Sequence, residues 1–458
     1  MKILFIVPRC SGSKQTYREY PLGVGIVGTI LKQYGHTVAI LDEQVENIDD
    51  NGFLSKLSSF KPDVIGFSVL TSSYPSARKL MRLARGNTEK ISVVAGGVHA
   101  SLFPEDLLED GADVVVAGEG ERTMLQLIER WRAGRDLGDV EGVSYVDGGT
   151  VVRRAPGRQK VDINKLPPVD RSLYSLSEYT HHSMSCSRGC PYKCNFCFNY
   201  SATMLNNGTS VRSTSSVIDE MVHVRDVYDA RQVFFVDDNF FLRKKSAKEF
   251  CRSMIERRVG VSWIAQIRVD QFDKELASLM VEAGCERVYF GVEAGSDEIL
   301  KATRKGITSR QIREGLLTAK QAGLRVKTGW IYGLPGRLED QYESVKLMTE
   351  LRPHEISVHQ LIPFPGTSYY HHASRYGIRI KDPKRFETFC FSGLQSNFTF
   401  DYLSHSDLMD LYEYTIRTLS REGYVSSDEK SSGSEYFYTT PLNSTSMDVF
   451  RADGEGSD

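Results

Sequence analysis

Short apolar, β-branched runs alternate with longer amphipathic segments through most of the chain. Residues 2–7 read as a strand, and a helix over 23–34 follows, ended by Gly35. Further strands are expected at 38–41, 64–68, 91–95 and 113–117, with helices at 76–85 and 122–131. Such an alternation implies a doubly wound, Rossmann-like α/β unit whose parallel sheet carries helices on both faces. Ligands of such sheets bind beyond the carboxyl ends of the strands. Gly66, Gly96, Gly97, Gly118, Glu119 and Gly120 fall there. This first unit is expected to cover 1–135.

Residues 136–180 read as a linker. A hairpin signal lies at 142–152, with Asp147, Gly148 and Gly149 between two β-rich runs. Pro167 and Pro168 then break any helix. A second β/α series is expected over 181–375, with strands at 182–186, 232–236, 263–267, 287–292, 326–331 and 355–361. Helices fit at 216–228, 246–258, 274–283, 309–322 and 340–351. Six such units predict a partial (β/α)6 barrel. Residues 376–425, with one helix over 404–422, are expected to form a small α-rich C-terminal cap. Residues 426–458 read as a disordered acidic tail. Its aromatic trio Tyr436, Phe437 and Tyr438 is the one part suited to docking.

Composition narrows the class. The chain has 458 residues, 40% of them hydrophobic, enough for about three structural units and too many for a disordered or fibrous protein. No apolar run reaches the roughly 18 residues of a membrane span, and the opening run is shorter than a signal-peptide core. The formal charge of −2 argues against a polyanion-binding surface, so nucleic acid is not an expected partner. The tail holds seven acids and two bases, which leaves the rest of the chain at about +3. Eight cysteines are too few for a disulfide scaffold of this length. Four of them, at 186, 190, 194 and 197, have metal spacing, as in a reducing, cytoplasmic compartment.

Soft thiolates suit zinc or an iron–sulfur cluster. A structural zinc wants four protein ligands, whereas a cluster on three thiolates leaves one iron open. Cys190, Cys194 and Cys197 lie on one short loop. Cys186, Cys190 and Cys194 form a rival triad, but Cys186 falls in an expected strand, where a thiol is a small buried hydrophobe. Cys10, Cys251, Cys285 and Cys390 read as core or free thiols.

Cys-x-x-x-Cys-x-x-Cys with Phe196 before the last cysteine, and with Ser187, Arg188 and Gly189 ahead of it, resembles the radical S-adenosylmethionine (SAM) superfamily. The stretches 235–240, 291–298 and 333–336 are similar to its later strand ends. The resemblance implies a 4Fe-4S cluster on Cys190, Cys194 and Cys197, whose open iron chelates SAM. It implies an electron donor such as flavodoxin or ferredoxin, and a 5′-deoxyadenosyl radical that takes hydrogen from an unactivated carbon. It also implies SAM contacts at Phe196, Asp237, Asp238, Gln266, Arg268 and Glu293. Asp237 and Asp238 would take the methionyl amine, Arg268 the carboxylate and Glu293 the ribose. An acidic residue at a strand end is also a common helix cap, and Arg268 has Asp270 as a rival partner.

The stretches 22–25, 35–38, 63–68, 96–100 and 118–121 together resemble the cobalamin-binding domain fused ahead of many radical SAM enzymes. This implies cobalamin contacts from Ser68, Thr71, Ser72, Gly96, Gly97, His99, Gly118, Glu119 and Gly120. The Asp-x-His-x-x-Gly motif that ligates cobalt is absent, so cobalamin is expected without a protein histidine ligand. Together the resemblances imply an enzyme acting on a small metabolite or natural product. Cobalamin-dependent C-methylation comes first, with a radical SAM dehydratase, epimerase or cyclase as the alternative. A dehydratase needs an acid or base beside the radical. Tyr332 and His359 are the first candidates, followed by Tyr369, Tyr370, His371 and His372.

Overall fold

The computed structural model describes residues 1–11, 19–87, 90–156, 160–198, 208–391, 394–427 and 437–439. The chain divides into two units. One holds Met1–Met184, Ala202–Arg212 and Arg385–Cys390, and the other Ser185–Ser201, Ser213–Lys384 and Phe391–Asp458.

The first unit is built on β1 (Lys2–Val7), β2 (Thr37–Asp42), β3 (Val64–Ser68), β4 (Ser92–Gly96), β5 (Val114–Val116), β6 (Val143–Asp147) and β7 (Thr150–Arg153). Their order is β2-β1-β3-β4-β5-β6-β7. The first five strands are parallel. Ile3, Leu4, Ile6, Val64, Ile65 and Val115 are fully buried, because helices cover both faces of a parallel sheet. The strand order turns around between β1 and β3, and at such a point ligands bind beyond the carboxyl ends.

Residues 136–180 are not a free linker. The hairpin β6–β7 forms, and β6 pairs antiparallel with β5, so it extends the sheet. Val169 and Tyr174 enter the first unit's core. The buried Arg171 guanidinium donates to Tyr20 Oη, Val169 O and Ser183 O, which knots this segment to the unit. Helices of this unit that went unread in the sequence include Asp50–Phe60, Glu43–Glu46, Val98–Leu102 and Pro104–Glu109. The first is capped by Asp49, whose carboxylate accepts from Gly52 N.

The short strands β8 (His182–Met184), β9 (Ser187–Arg188) and β10 (Ser210–Val211) come next. The second unit's sheet is formed by β11 (Gln232–Phe235), β12 (Ser262–Gln266), β13 (Cys285–Glu293), β14 (Arg325–Tyr332) and β15 (Glu355–Gln360), all parallel. The helices Thr214–Tyr228, Lys244–Glu256, Lys274–Glu282, Ser309–Gln321 and Leu338–Leu351 alternate with them. Strand alternation sorts the side chains into two faces. Val288, Phe290, Val292, Trp330 and Tyr332 are buried. Arg287, Tyr289, Gly291, Glu293, Lys327 and Ile331 are half-buried on the opposite, inner face. Trp263 stacks on Phe240, with Phe235 and Phe250 edge-on, and this aromatic block anchors Lys244–Glu256.

The C-terminal region differs from the expected cap and tail. β16 (Ile378–Ile380) and β17 (Phe398–Phe400) pair antiparallel beside the helix His405–Arg421, so the region is mixed rather than α-rich. β18 (Val425–Ser426) and β19 (Phe437–Thr439) join the barrel sheet, with β19 between β15 and β18. The tail was expected to be disordered, yet its aromatic residues supply a strand that covers the open edge of β15. Residues 428–436 and 440–458, Tyr436 among them, lie outside the described residues. No described helix is long and apolar enough to cross a membrane.

Candidate active site

The three-cysteine loop is pinned before it begins. Just beyond β11, the Asp237 carboxylate accepts from Cys186 N (3.0 Å), Ser187 N (2.6 Å) and Ser187 Oγ (2.6 Å). Burial pushes this carboxyl up to about 6, against those hydrogen bonds. Its oxygens are spent on protein donors, which corrects the expectation that it grips the SAM amine. Asp238, one residue on, is exposed. Cys186 is fully buried, and Phe241 N donates to its sulfur at 3.2 Å. Burial pushes its thiol far up.

Residues between the cysteines fasten the loop. Asn195 donates from N to Thr303 O (2.9 Å) and from Nδ2 to Ala302 O (3.2 Å), and its carbonyl accepts from Tyr369 N (3.2 Å). The Arg268 guanidinium lies 3.5 Å from the Tyr192 ring centre, and Gln271 Nε2 donates to the Tyr192 hydroxyl (2.8 Å). Lys305 Nζ is 5.8 Å from the Phe196 ring centre. Cys190 and Cys197 are half-buried and Cys194 is buried. Burial pushes the Cys190 and Cys194 thiols up, while Lys305 and Arg268 draw Cys194 back toward the thiolate. Among the described residues, no three His, Cys, Asp or Glu side chains lie close enough to hold a single ion. Three soft ligands on one loop match an iron–sulfur cluster with an open iron better than a structural zinc, which wants four protein ligands.

At the end of β13, Glu293 adopts φ +72°, beside a register shift in its pairing with β14. A left-handed backbone at a non-glycine residue stores strain. Its carboxylate pairs with Lys305 at 2.7 Å and folds back across Gly291. A Cβ on Gly291 would sit 2.5 Å from Glu293 Oε1 and 3.2 Å from Lys305 Nζ. Lys305 is buried, and Glu293 and Cys194 raise its pKa against the opposing effect of burial. The sequence reading missed Lys305, which no motif marks. Gln266 is half-buried at the end of β12. Arg268 is already engaged: it grips Asp270 through two 3.0 Å bonds and donates to Lys305 O at 3.0 Å. It braces Tyr192 instead of offering a free fork to a carboxylate. Asn239 was also missed. It is fully buried, its Oδ1 accepts from Arg268 N (3.1 Å), and its Nδ2 has no partner among the described residues.

The two foremost acid–base candidates separate by strand parity. Tyr332 faces away from the inner surface: its hydroxyl bonds to Thr415 Oγ1 (2.7 Å) and its ring packs on Tyr412. It is a packing residue, a correction to the sequence reading. His359 lies on the inner side and is half-buried, with Nδ1 unpartnered among the described residues. Burial, then Lys327, hold its pKa down to about 4, so it is neutral at physiological pH. Tyr369 is fully buried, Tyr370 half-buried, and His371 and His372 exposed.

In the first unit, Ser68 and Gly96 pair directly at the carboxyl ends of β3 and β4, both half-buried. Thr71 is buried, and Ser72 Oγ donates to Cys10 Sγ (3.4 Å). Gly97 has φ +100°, and a Cβ there would meet Val69 O at 2.7 Å. Gly118 N donates to Ser101 Oγ (2.9 Å), Glu119 Oε2 accepts from Val161 N (3.4 Å), and Gly120 opens the helix Gly120–Arg132. His99 is fully buried among the rings of Tyr74 (4.3 Å, stacked), Phe103 (5.0 Å) and Phe386 (4.8 Å). Neither ring nitrogen has a partner among the described residues, and burial holds its pKa down to about 3.

Comparison with known proteins agrees with this division. The B12 binding domain family matches residues 9–128, and the Radical SAM superfamily matches 184–348. An uncharacterized methyltransferase of Pyrococcus horikoshii is 30% identical over 386 residues, covering 81% of this chain and 83% of that protein. An anaerobic magnesium-protoporphyrin IX monomethyl ester cyclase of Rubrivivax gelatinosus is 26% identical, covering 81% and 69%. The radical S-adenosylmethionine methyltransferase TsrM of Kitasatospora setae, solved with cobalamin and a [4Fe-4S] cluster, shares the fold with a TM-score of 0.72 at 19% identity, over 90% of each chain. The chain therefore belongs to the radical SAM superfamily, in the branch that carries a B12-binding domain ahead of the radical SAM core.

Proposed function

We propose that the chain is a cobalamin-dependent radical SAM enzyme that methylates an unactivated carbon of a small molecule. The cysteine loop carries this reading. Its backbone is braced by Asp237, Asn195 and Tyr192. Cys190, Cys194 and Cys197 would hold a 4Fe-4S cluster with one open iron. The donor set fits that group: three soft ligands on one loop, with the cations Arg268 and Lys305 beside Cys194. When bound, the cluster would provide one-electron reduction of SAM, with the electron coming from a donor such as flavodoxin or ferredoxin in a reducing cytoplasm.

The other residues bind and orient. Exposed Asp238 and half-buried Gln266 offer acceptors to the SAM ammonium. Glu293, held by Lys305, offers acceptors to its ribose. Phe196 provides an apolar surface, and Arg268 holds Tyr192 and the loop in place. At the carboxyl edge of the first sheet, Ser68, Gly96 and Gly118 present a hydroxyl and bare backbone to a large flat cofactor. This edge fits cobalamin, which supplies a methyl carrier. The cyclase relative supports a second reading, ring formation without methyl transfer. In that case His359, neutral on the inner face, would be the proton-handling residue.

Reconstituting the cluster anaerobically and titrating cobalamin, followed by its visible spectrum, tests the choice. Stoichiometric binding, with label passing from methyl-deuterated SAM to cobalamin, supports methylation. Failure to bind at any concentration sinks it and leaves cyclisation.

A further inference from the structure

We infer that the exposed surface around the cysteine loop is the docking face for a small acidic one-electron carrier protein, with Lys193, Lys301 and Arg304 as its cationic contacts. The inference rests on the cluster reading proposed above and names the surface that would feed it. Lys193 lies inside the loop, between Cys190 and Cys194, and is exposed, as is Pro191. Cys190 and Cys197 are only half-buried, so the loop reaches the surface here. Asn195 ties the loop to the end of the helix Asp297–Ala302: its N donates to Thr303 O (2.9 Å) and its Nδ2 to Ala302 O (3.2 Å). Lys301 and Arg304 flank those two carbonyls in the chain, and both are exposed. Asn195 O in turn accepts from Tyr369 N (3.2 Å), and the Tyr376 ring packs 4.8 Å from that of Tyr369. Exposed Arg375 adjoins Tyr376 and widens the patch.

Charge along these three segments is one-sided. No Asp or Glu occurs in 187–197, 299–310 or 361–381, although the whole chain holds 59 acids against 57 bases. Other bases here are spent on acids from elsewhere: Lys305 on Glu293, Arg310 on Glu314 and Arg379 on Asp401. Lys193, Lys301, Arg304 and Arg375 pair with no acid among the described residues. The nearest acids in sequence, Asp297 and Glu298, open the helix near whose end Lys301 lies. Exposed Asp238, near Cys190, is assigned above to SAM. Electron-transfer encounters bury little area, so attraction between opposite charges largely sets how fast they form. In the encounter one electron passes from the reduced carrier to the oxidised cluster, and no bond or proton moves.

The test follows cluster reduction by stopped-flow visible absorbance in the anaerobically reconstituted full-length chain. Two reductants are compared: reduced flavodoxin, an acidic carrier protein, and photoreduced deazariboflavin, a small uncharged molecule. The combined variant Lys193→Gln, Lys301→Gln, Arg304→Gly should keep its iron but react about tenfold more slowly with flavodoxin. It should also lose most of the salt dependence of the wild-type rate. Its rate with deazariboflavin should not change. Arg258→Gly is the control. It removes an exposed arginine from another left-handed helix end (φ +49°), but ahead of β12, at the amino ends of the strands. It should match wild type with both reductants. An unmoved flavodoxin rate in the combined variant overturns the inference. So does equal slowing with both reductants, or equal slowing in Arg258→Gly. If the combined variant does not fold, Arg304→Gly alone remains: Arg304 follows the helix end with φ +56°, where glycine is the usual residue. It should slow flavodoxin roughly twofold, its share of the same factor, and no slowing overturns the inference. A wild-type cluster that deazariboflavin reduces and flavodoxin does not overturns this docking face alone. A wild type that takes up no cluster overturns the cluster reading and, with it, this inference.

Discussion

Gly291→Ala puts a methyl group where Glu293 and Lys305 meet. The added carbon would lie 2.5 Å from Glu293 Oε1, and ordinary contact begins near 3.4 Å, so the oxygen must move by about 0.9 Å. Lys305 Nζ, 3.2 Å from the same carbon, must give as well. Both are ends of flexible side chains, so the clash itself is relieved cheaply. The cost falls on the 2.7 Å ion pair, whose lysine is buried. Overpacking costs about 1–3 kcal/mol, and stranding a buried charge about 3–5 kcal/mol. A partial loss of the pair places the expected cost near 3 kcal/mol. For a unit of this size that lowers Tm by roughly 6–12 °C. Anaerobic thermal unfolding of Gly291→Ala, Glu293→Ala and the double variant measures it. Because the methyl group acts through Glu293, it should add less than about 0.5 kcal/mol once Glu293 is gone. Fully additive costs, or an unchanged Tm in Gly291→Ala, would refute the reasoning.

Other outcomes follow from single contacts. His99 is held near 3 in the fold and titrates at about 6.5 when unfolded. The unfolded chain therefore binds the extra proton, and this stability is lost as pH falls below 6.5. Between pH 7.5 and 5.5 the loss is about 1.4 kcal/mol. His99→Phe should lack that part of the acid sensitivity in thermal melts, and an unchanged pH slope counts against it. Tyr332→Phe should lose the Thr415 bond, about 0.5–1.5 kcal/mol, and keep full 5′-deoxyadenosine formation. Lost turnover in a folded Tyr332→Phe would restore its catalytic reading.

Much of this was legible in the sequence, because the signals were local. Runs such as Val64–Ser68 and Glu355–Gln360 carry their strand character in their own residues. The cysteine spacing carries its chemistry in the same way. What could not be read depends on partners far along the chain. Asp237 and Asp238 look equivalent, but only Asp238 remains exposed, while Asp237 is taken up by Cys186 and Ser187, some fifty residues earlier. Tyr332 was misassigned although parity was available: Trp330 and Tyr332 fall on the buried face, and Ile331 on the inner one. Lys305 sits in a connection without a motif, and only its contacts with Glu293 and Phe196 reveal it. Phe437–Thr439 follows a serine-rich, acidic stretch that masks its strand character. It becomes a strand because β15 presents an edge to pair with. The hairpin β6–β7 was visible in its turn residues, but its attachment to β5 is a long-range pairing with no local trace.

Production of 5′-deoxyadenosine from SAM by the anaerobically reconstituted chain is the most direct check. Wild type and Cys186→Ala should both form it, since Cys186 is buried with its sulfur held by Phe241 N. Cys190→Ala, Cys194→Ala and Cys197→Ala should each abolish it. Activity retained in all three, or lost only in Cys186→Ala, would contradict the cluster assignment on which the functional reading depends.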